Sequence, residues 1–313
     1  MKKLFLFSII CLLSVQMTYG AEEKIKLAIG FIPHIQFAPL YVGMEKGFFK
    51  AEGINLEIEY GFGVDIFSLL NSEKIDLGLS DSDLLIISSS KGFKAGAVFQ
   101  YYQKYPVTVV ALKGRIKNPA DFTGKTIGTP DITGSSSIGM NLFLAEYGLQ
   151  NKVKKQKIGY TQIQSLLSGR VDGVVCFSNN EPVQMRLAGK EIVQWDVGAF
   201  SDMVGASFIT GEKQYLKKKK ILAKFINASA KAVEWTVNNQ NEAFEISKKY
   251  MNSYDDSQKE FNLKCLEATS VLFKSGKGYG YLDKAKYQKS IEIMKELKLI
   301  EKSYSADKII YKF

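Results

Sequence analysis

Residues 177 to 184 read FSNNEPVQ and put two amides and a carboxylate in a row: Asn179, Asn180 and Glu181. They stand directly behind the apolar run VVCF, and Pro182 suits the first turn of a following helix. The trio therefore occupies a strand-to-helix junction, where a plain turn needs only one Asn or Gly. Two amides and a carboxylate can instead read the edge of a heterocycle. A ligand without the matching N–H leaves a buried acceptor unpaired, and this discriminates well. Asn179 also fits the N-cap of that helix, and capping leaves ligand contact open.

Ligands of open α/β sheets bind beyond the carboxyl ends of strands, so the other junctions carry the remaining candidates. FIPHIQFAP (31–39) holds His34, Gln36 and Phe37; SDSD (80–83) begins with Ser80 and Asp81. QYYQKYP (100–106) holds Tyr101 and Tyr102; TPDITGSSS (129–137) holds Ser135 and Ser136. The rings of Phe37, Tyr101 and Tyr102 can stack on a planar ligand, each pair adding about 0.5–1.5 kcal/mol beyond area burial. Tyr101 and Tyr102 are adjacent, so on a strand at least one of them packs elsewhere or faces solvent. Phe37 fits core packing equally well. TGSSS ahead of a helix offers free N–H groups to an anion, or is an ordinary loop and cap. His34 donates to a ligand or satisfies the backbone of its own loop. No close nucleophile–base pair stands at these junctions, and one His is too few for a zinc site. Catalytic residues, metals and cofactors are accordingly not expected.

The chain starts MKKLFLFSIICLLSVQMTYGAEE. Lys2 and Lys3 precede an apolar run from Leu4 to Val15, with small Thr18 and Gly20 behind it. This pattern predicts an export signal over residues 1–20, cleaved near Gly20, and a periplasmic protein. Removing 20 of 313 residues leaves 293, enough for two cores. The formal net charge of +10 falls to +8 without those two lysines. The basic excess is scattered apart from KKKK at 217–220, which reads as a solvated helix start; nucleic acid is not an expected partner. Cys176 and Cys265 are too few and too far apart for a disulfide framework and read as buried, small apolar groups.

The elements that must position the junction residues alternate strand and helix twice. Strands at 24–32, 55–61, 75–81 and 95–102 are separated by amphipathic stretches. After an extended run at 105–114 the rhythm restarts, and a second extended run covers 203–211. From 214 to about 298 the periodicity is helical. The pattern predicts an α/β protein of two lobes with a cleft between them. The chain is expected to cross near 112 and return near 208. Lobe 1 then comprises 21–111 and 209–313 with the C-terminal helices, and lobe 2 comprises 112–208.

Three stretches, in this order, resemble periplasmic substrate-binding proteins of ABC importers: GFIPHIQFAPLYVGMEKGFFKAEGINLEIEYG, PADFTGKTIGTP and GRVDGVVCFSNNEPVQMRLAG. The resemblance is to the branch related to thiamin-pyrimidine binding and synthesis, and IPHIQFAP with NNEPVQ is most similar to binders of riboflavin. Pyrimidine binders typically carry a WTPNTNH-like first loop and an NWEG-like second motif. Here Ile32, Pro33 and His34 depart from the first, and Asn180 replaces the aromatic of the second, while Asn179 and Glu181 match it. The resemblance implies a type II two-lobe binding-protein fold and a non-catalytic monomer serving an ABC importer permease. It implies riboflavin or a similar flat heterocycle as ligand, with a thiamin-precursor pyrimidine or a sulfonate as the alternative. It also implies that Asn179 and Glu181 contact the heterocycle, with residues near Gln36 completing the site. The related fungal enzymes use a Cys-rich iron motif and a pyridoxal cofactor. This chain has no Cys cluster, so an enzyme acting on such heterocycles is the least favoured reading.

Overall fold

The computed structural model describes residues 22–252 and 254–313; the expected export signal lies outside the described residues. The chain opens with β1 (Glu23–Ile29), α1 (Ala38–Glu45), α2 (Phe48–Ala51), β2 (Ile54–Tyr60) and α3 (Ile66–Asn71). Then come β3 (Leu77–Asp81), α4 (Ser82–Ser90) and β4 (Ala95–Gln100). A second series follows: β5 (Val107–Leu112), β6 (Thr126–Thr129), α5 (Gly134–Glu146), β7 (Lys154–Lys157) and α6 (Gln162–Leu167). It ends with β8 (Gly173–Phe177), α7 (Glu181–Leu187) and β9 (Ile192–Asp196). Last are β10 (Ala206–Gly211), α8 (Glu212–Asn238), α9 (Gln240–Ser247), α10 (Lys259–Phe273) and α11 (Lys284–Glu296).

Two five-stranded sheets result, ordered β2-β1-β3-β10-β4 and β7-β6-β8-β5-β9. In the first, β10 runs antiparallel between β3 and β4. In the second, β5 runs antiparallel between β8 and β9. Each reversed strand is the one by which the chain arrives from the other sheet. The expected boundary at 112 is therefore corrected: β5 belongs to the second sheet. The crossings are residues 101–106 and 197–205, and the return precedes β10 rather than falling at 208. The physical reason for the error is that β5 is buried along almost its whole length. Such a strand reads as an unbroken apolar run that names no partner.

Core packing follows the same division. One face of the first sheet buries Leu27, Leu79 and Phe208 with Phe49 and Phe225, from α2 and α8. Another cluster runs through the crossings, joining Leu85 of α4 and Ile209 of β10 to Val107, Ile127 and Phe143 around the second sheet. Cys176 and Cys265 are free and buried. The lysine run lies inside α8, which kinks at Lys218. There Lys217 pairs with Glu73 and Lys218 with Asp76.

The crossings lie side by side. Tyr102 N–H donates to Ala206 O at 2.9 Å. The Gln100 amide reaches the carbonyls of Tyr102, Gly205 and Ala206 at 3.1, 2.9 and 3.0 Å. A Cβ on Gly205 would stand 2.4 Å from Tyr102 O and 2.7 Å from Lys104 O. Both obstacles are backbone, so Gly205→Ala has to push the crossings apart. We expect it to cost about 1–3 kcal/mol, the usual penalty of overpacking. The urea midpoint of the purified chain measures this, and an unshifted midpoint would mean that the crossings separate without loss.

Candidate functional site

The site is built where the carboxyl ends of both sheets face each other. From β1 the chain enters a 3-10 turn at Ile35–Phe37. His34 caps it: its Nδ1 accepts from Gln36 N–H at 3.3 Å. A ring nitrogen that accepts carries no proton, which leaves Nε2–H as the donor. Burial pushes the imidazole down to about 4, so His34 is neutral near pH 7. Of the two readings of His34, the backbone-satisfying one is realised, and the second nitrogen remains a donor.

Gln36 is the meeting point of the tyrosines. Tyr101 OH donates to its carbonyl and Tyr102 OH to its Oε1, both at 2.8 Å. At least one of the two tyrosines was expected to pack elsewhere or face solvent, and both are packed in the core. They lie past the end of β4 at Gln100, where strand alternation no longer separates them. Their rings lie 5.1 Å apart, and both pack on Phe273 of α10. Phe37 is 4 % exposed and packed in the core of the first lobe. It presents no free face, so of its two readings, ring stacking and core packing, the core one is realised, beside Tyr60.

From the second sheet, β8 ends at the amide–carboxylate trio. Asn179 is 1 % exposed. Its Nδ2 donates to Thr269 Oγ1 of α10 at 2.9 Å, across the two lobes. Thr269 in turn donates to Cys265 O at 2.7 Å, which fixes the direction of the chain of bonds. Asn179 Oδ1 is buried without a hydrogen-bond partner among the described residues. The Tyr102 hydroxyl lies beside this side chain. Asn180, not Asn179, takes the N-cap position of α7, and its side chain makes no capping bond. Glu181 accepts from Gln162 Nε2 at 3.1 Å and from Phe177 N–H at 3.4 Å. Burial raises its carboxyl to about 6.

Asp81 and Ser135 meet across the same seam. Ser135 Oγ lies 2.7 Å from Asp81 Oδ2 and 2.8 Å from Asp83 Oδ1. Two carboxyls at the start of α5 oppose the anion-cradle reading of TGSSS, since negative charge already stands there, and leave the ordinary loop and cap. Ser136 and Ser80 are half-buried and make no side-chain hydrogen bond among the described residues. At the rim, Phe31, Phe62 and Tyr160 form a row of rings with centroids 5.1 and 5.4 Å apart. Phe62 and Tyr160 are 53 % and 72 % exposed, and they come from opposite lobes.

Sequence reasoning missed Phe62, Tyr160 and Gln162, although they lie in strand-to-helix junctions after β2 and β7. It also missed Asp83, which the SDSD motif contains. Thr269 sits inside a helix and carried no local signal.

This arrangement of paired sheets, reversed strands and facing loops is the two-lobe α/β architecture of periplasmic binding proteins. The solved structure of the periplasmic aliphatic sulphonate binding protein SsuA from Escherichia coli superposes with a TM-score of 0.73 at 13 % identity. The match covers 93 % of this chain and 92 % of that one. The chain belongs to the NMT1/THI5 like family, whose model matches residues 34–243. It is 26 % identical over 234 residues to the riboflavin-binding protein RibY of Chloroflexus aurantiacus, covering 73 % of this chain and 67 % of that protein. It is 28 % identical over 234 residues to the formylaminopyrimidine-binding protein of Halalkalibacterium halodurans, covering 72 % and 70 %.

The raised Glu181 carboxyl has a signed consequence. Its protonated form favours the folded chain, so the stabilisation is complete below its ordinary 4.5 and lost as pH rises through about 6. Glu181→Gln has no charge to bury. Between pH 4 and pH 8 the wild type should lose about 2 kcal/mol more than this variant. Urea unfolding of ligand-free protein at both pH values measures the gap; equal losses would mean that the carboxyl is hydrated.

Proposed function

We propose that this protein is an exported, non-catalytic, monomeric solute-binding component of an ABC importer, and that it holds riboflavin or a similar flat heterocycle between its lobes. The observation that carries this reading is Asn179 Oδ1, a buried acceptor without a partner among the described residues, two positions before the Glu181 carboxylate in the chain. Such a pair suits a ring edge bearing N–H donors. The row Phe31, Phe62, Tyr160 supplies flat surfaces for the ring system, while Tyr101, Tyr102 and Phe273 pack as a buried support. The two crossings serve as the hinge, and lobes 22–100 with 206–313 and 107–196 close on the ligand. Similarity to a riboflavin binder and to a formylaminopyrimidine binder supports a planar nitrogen heterocycle.

Chemistry also ranks the alternatives. A sulfonate is a strong anion and calls for cationic donors, whereas Asp81, Asp83 and Glu181 face the cleft region. A thiamin-precursor pyrimidine satisfies the same acceptors as a flavin and stays as the second reading, favoured by the formylaminopyrimidine-binding relative.

Riboflavin titrated into the full chain should lose its fluorescence at micromolar protein and be recovered chemically unchanged. Asn179→Leu should weaken binding about 10- to 100-fold through the lost acceptor, and Tyr160→Ala about 2- to 10-fold through the lost ring face. Absence of quenching removes the flavin. Mass spectrometry of ligand co-purified from the native host then distinguishes a pyrimidine from other occupants, and turnover of riboflavin would overturn the non-catalytic reading.

A further inference from the structure

We propose that Asp81, Ser135 and Asp83 form a latch across the cleft that closes only when the pair of carboxyls holds a proton. Asp81 and Asp83 flank the start of α4 on the first lobe, and Ser135 lies in the first turn of α5 on the second. Tyr105, from the crossing, extends the chain: its hydroxyl lies 3.1 Å from Asp83 Oδ2 and 3.0 Å from Ser135 O.

The count of protons decides the matter. Four O···O contacts of 2.7, 2.8, 3.1 and 3.0 Å join these groups, yet Ser135 and Tyr105 bring only two hydroxyl protons. With both carboxyls ionised, at least two contacts set lone pairs against lone pairs or share a single proton. A proton on Asp83 halves the shortfall, leaving only the Tyr105 hydroxyl to serve two acceptors with one proton. Asp83 donates to Ser135 Oγ, Ser135 donates to Asp81, and Tyr105 donates to the remaining Asp83 oxygen or to Ser135 O. Short contacts between an acid, a hydroxyl and a carboxylate are the strong, charge-assisted kind.

Charged neighbours do not neutralise the pair. α4 and α5 carry no cation, and β10 carries no charge. Tyr102 and Tyr105 face the aspartates from the crossing. On α11, Tyr287 bonds Ser82, and Lys286 donates to Gln103 O instead. No described salt bridge reaches either aspartate. Burial, with the Asp81 charge added, accordingly lifts Asp83 to about 7, and burial also raises Asp81.

Opening removes Ser135 and returns both carboxyls to water, where an aspartate titrates near 3.8. Closure therefore takes up a proton. It is favoured at low pH and lost as pH rises through about 7. One proton changes the closing constant about tenfold per pH unit, or about a hundredfold from pH 5 to pH 7, and the effect flattens above. The inference rests on the lobes opening about the crossings, as read above, but not on what the ligand is.

Two ligand-free measurements on the full chain test it. Small-angle scattering should give a radius of gyration that grows from pH 5 to pH 8 in the wild type. Asp83→Asn, whose amide donates to Ser135 without an added proton, should stay compact throughout, and Ser135→Ala should be expanded already at pH 5. Carbon-13 NMR of the aspartate carboxyls should show one group titrating above pH 6 that vanishes in Asp83→Asn. A radius that ignores pH overturns the latch. So does a pH response that persists in Asp83→Asn, which would assign it to Glu181, or a set of aspartates all titrating below pH 5. If riboflavin fails to quench while the radius still follows pH, the flavin reading falls and the latch stands.

Discussion

A polar group taken out of water has to meet a partner, and leaving one orphaned costs about 1–3 kcal/mol. That constraint governs the seam between the two sheets. Asn179 reaches Thr269, and Ser135 reaches Asp81 and Asp83, each across the gap between lobes. Hydrogen bonds of this length tolerate little displacement, so they define the closed arrangement more sharply than apolar contact does. What stays unsatisfied is then informative: Asn179 Oδ1 has an acceptor's capacity and nothing among the described residues to fill it.

The same desolvation sets the charge of the site. Burial holds His34 neutral and keeps Glu181 nearer to protonation than an exposed glutamate. Both effects suit hydrogen-bonded recognition of an uncharged edge rather than attraction of an anion. Around these polar groups the tyrosine and phenylalanine rings provide area. The crossings, braced by the Gln100 amide and brought close at Gly205, locate the two halves relative to each other.

Much of this was legible in local pattern. The strand–helix rhythm announced the sheets because helical and extended segments bury their apolar residues with different periods. The junction rule then led to His34, Gln36, Tyr101, Tyr102, Asp81, Ser135 and the Asn179–Glu181 trio; of these, Gln36 meets both tyrosines and Asp81 meets Ser135. Open readings and errors came where a side chain's fate depends on something distant. Phe37 suits stacking and core alike by sequence, and only its distant neighbours make it core. TGSSS suits an anion cradle or an ordinary loop and cap, and it faces two carboxyls. The strand 107–112 looked like part of lobe 1 and pairs with β8 and β9.

The amino-acid order alone therefore determined which segments fold into strands and helices, and which loops stand at their ends, because backbone propensity and apolar periodicity act over a few residues. Only the tertiary structure decided which sheet β5 joins, that Thr269 from mid-helix meets Asn179, and that Asp83 shares Ser135 with Asp81. Those outcomes arise from contacts between residues 52 to 90 positions apart, or between strands that no local pattern pairs. Their energies come from mutual desolvation, which exists only once the lobes meet.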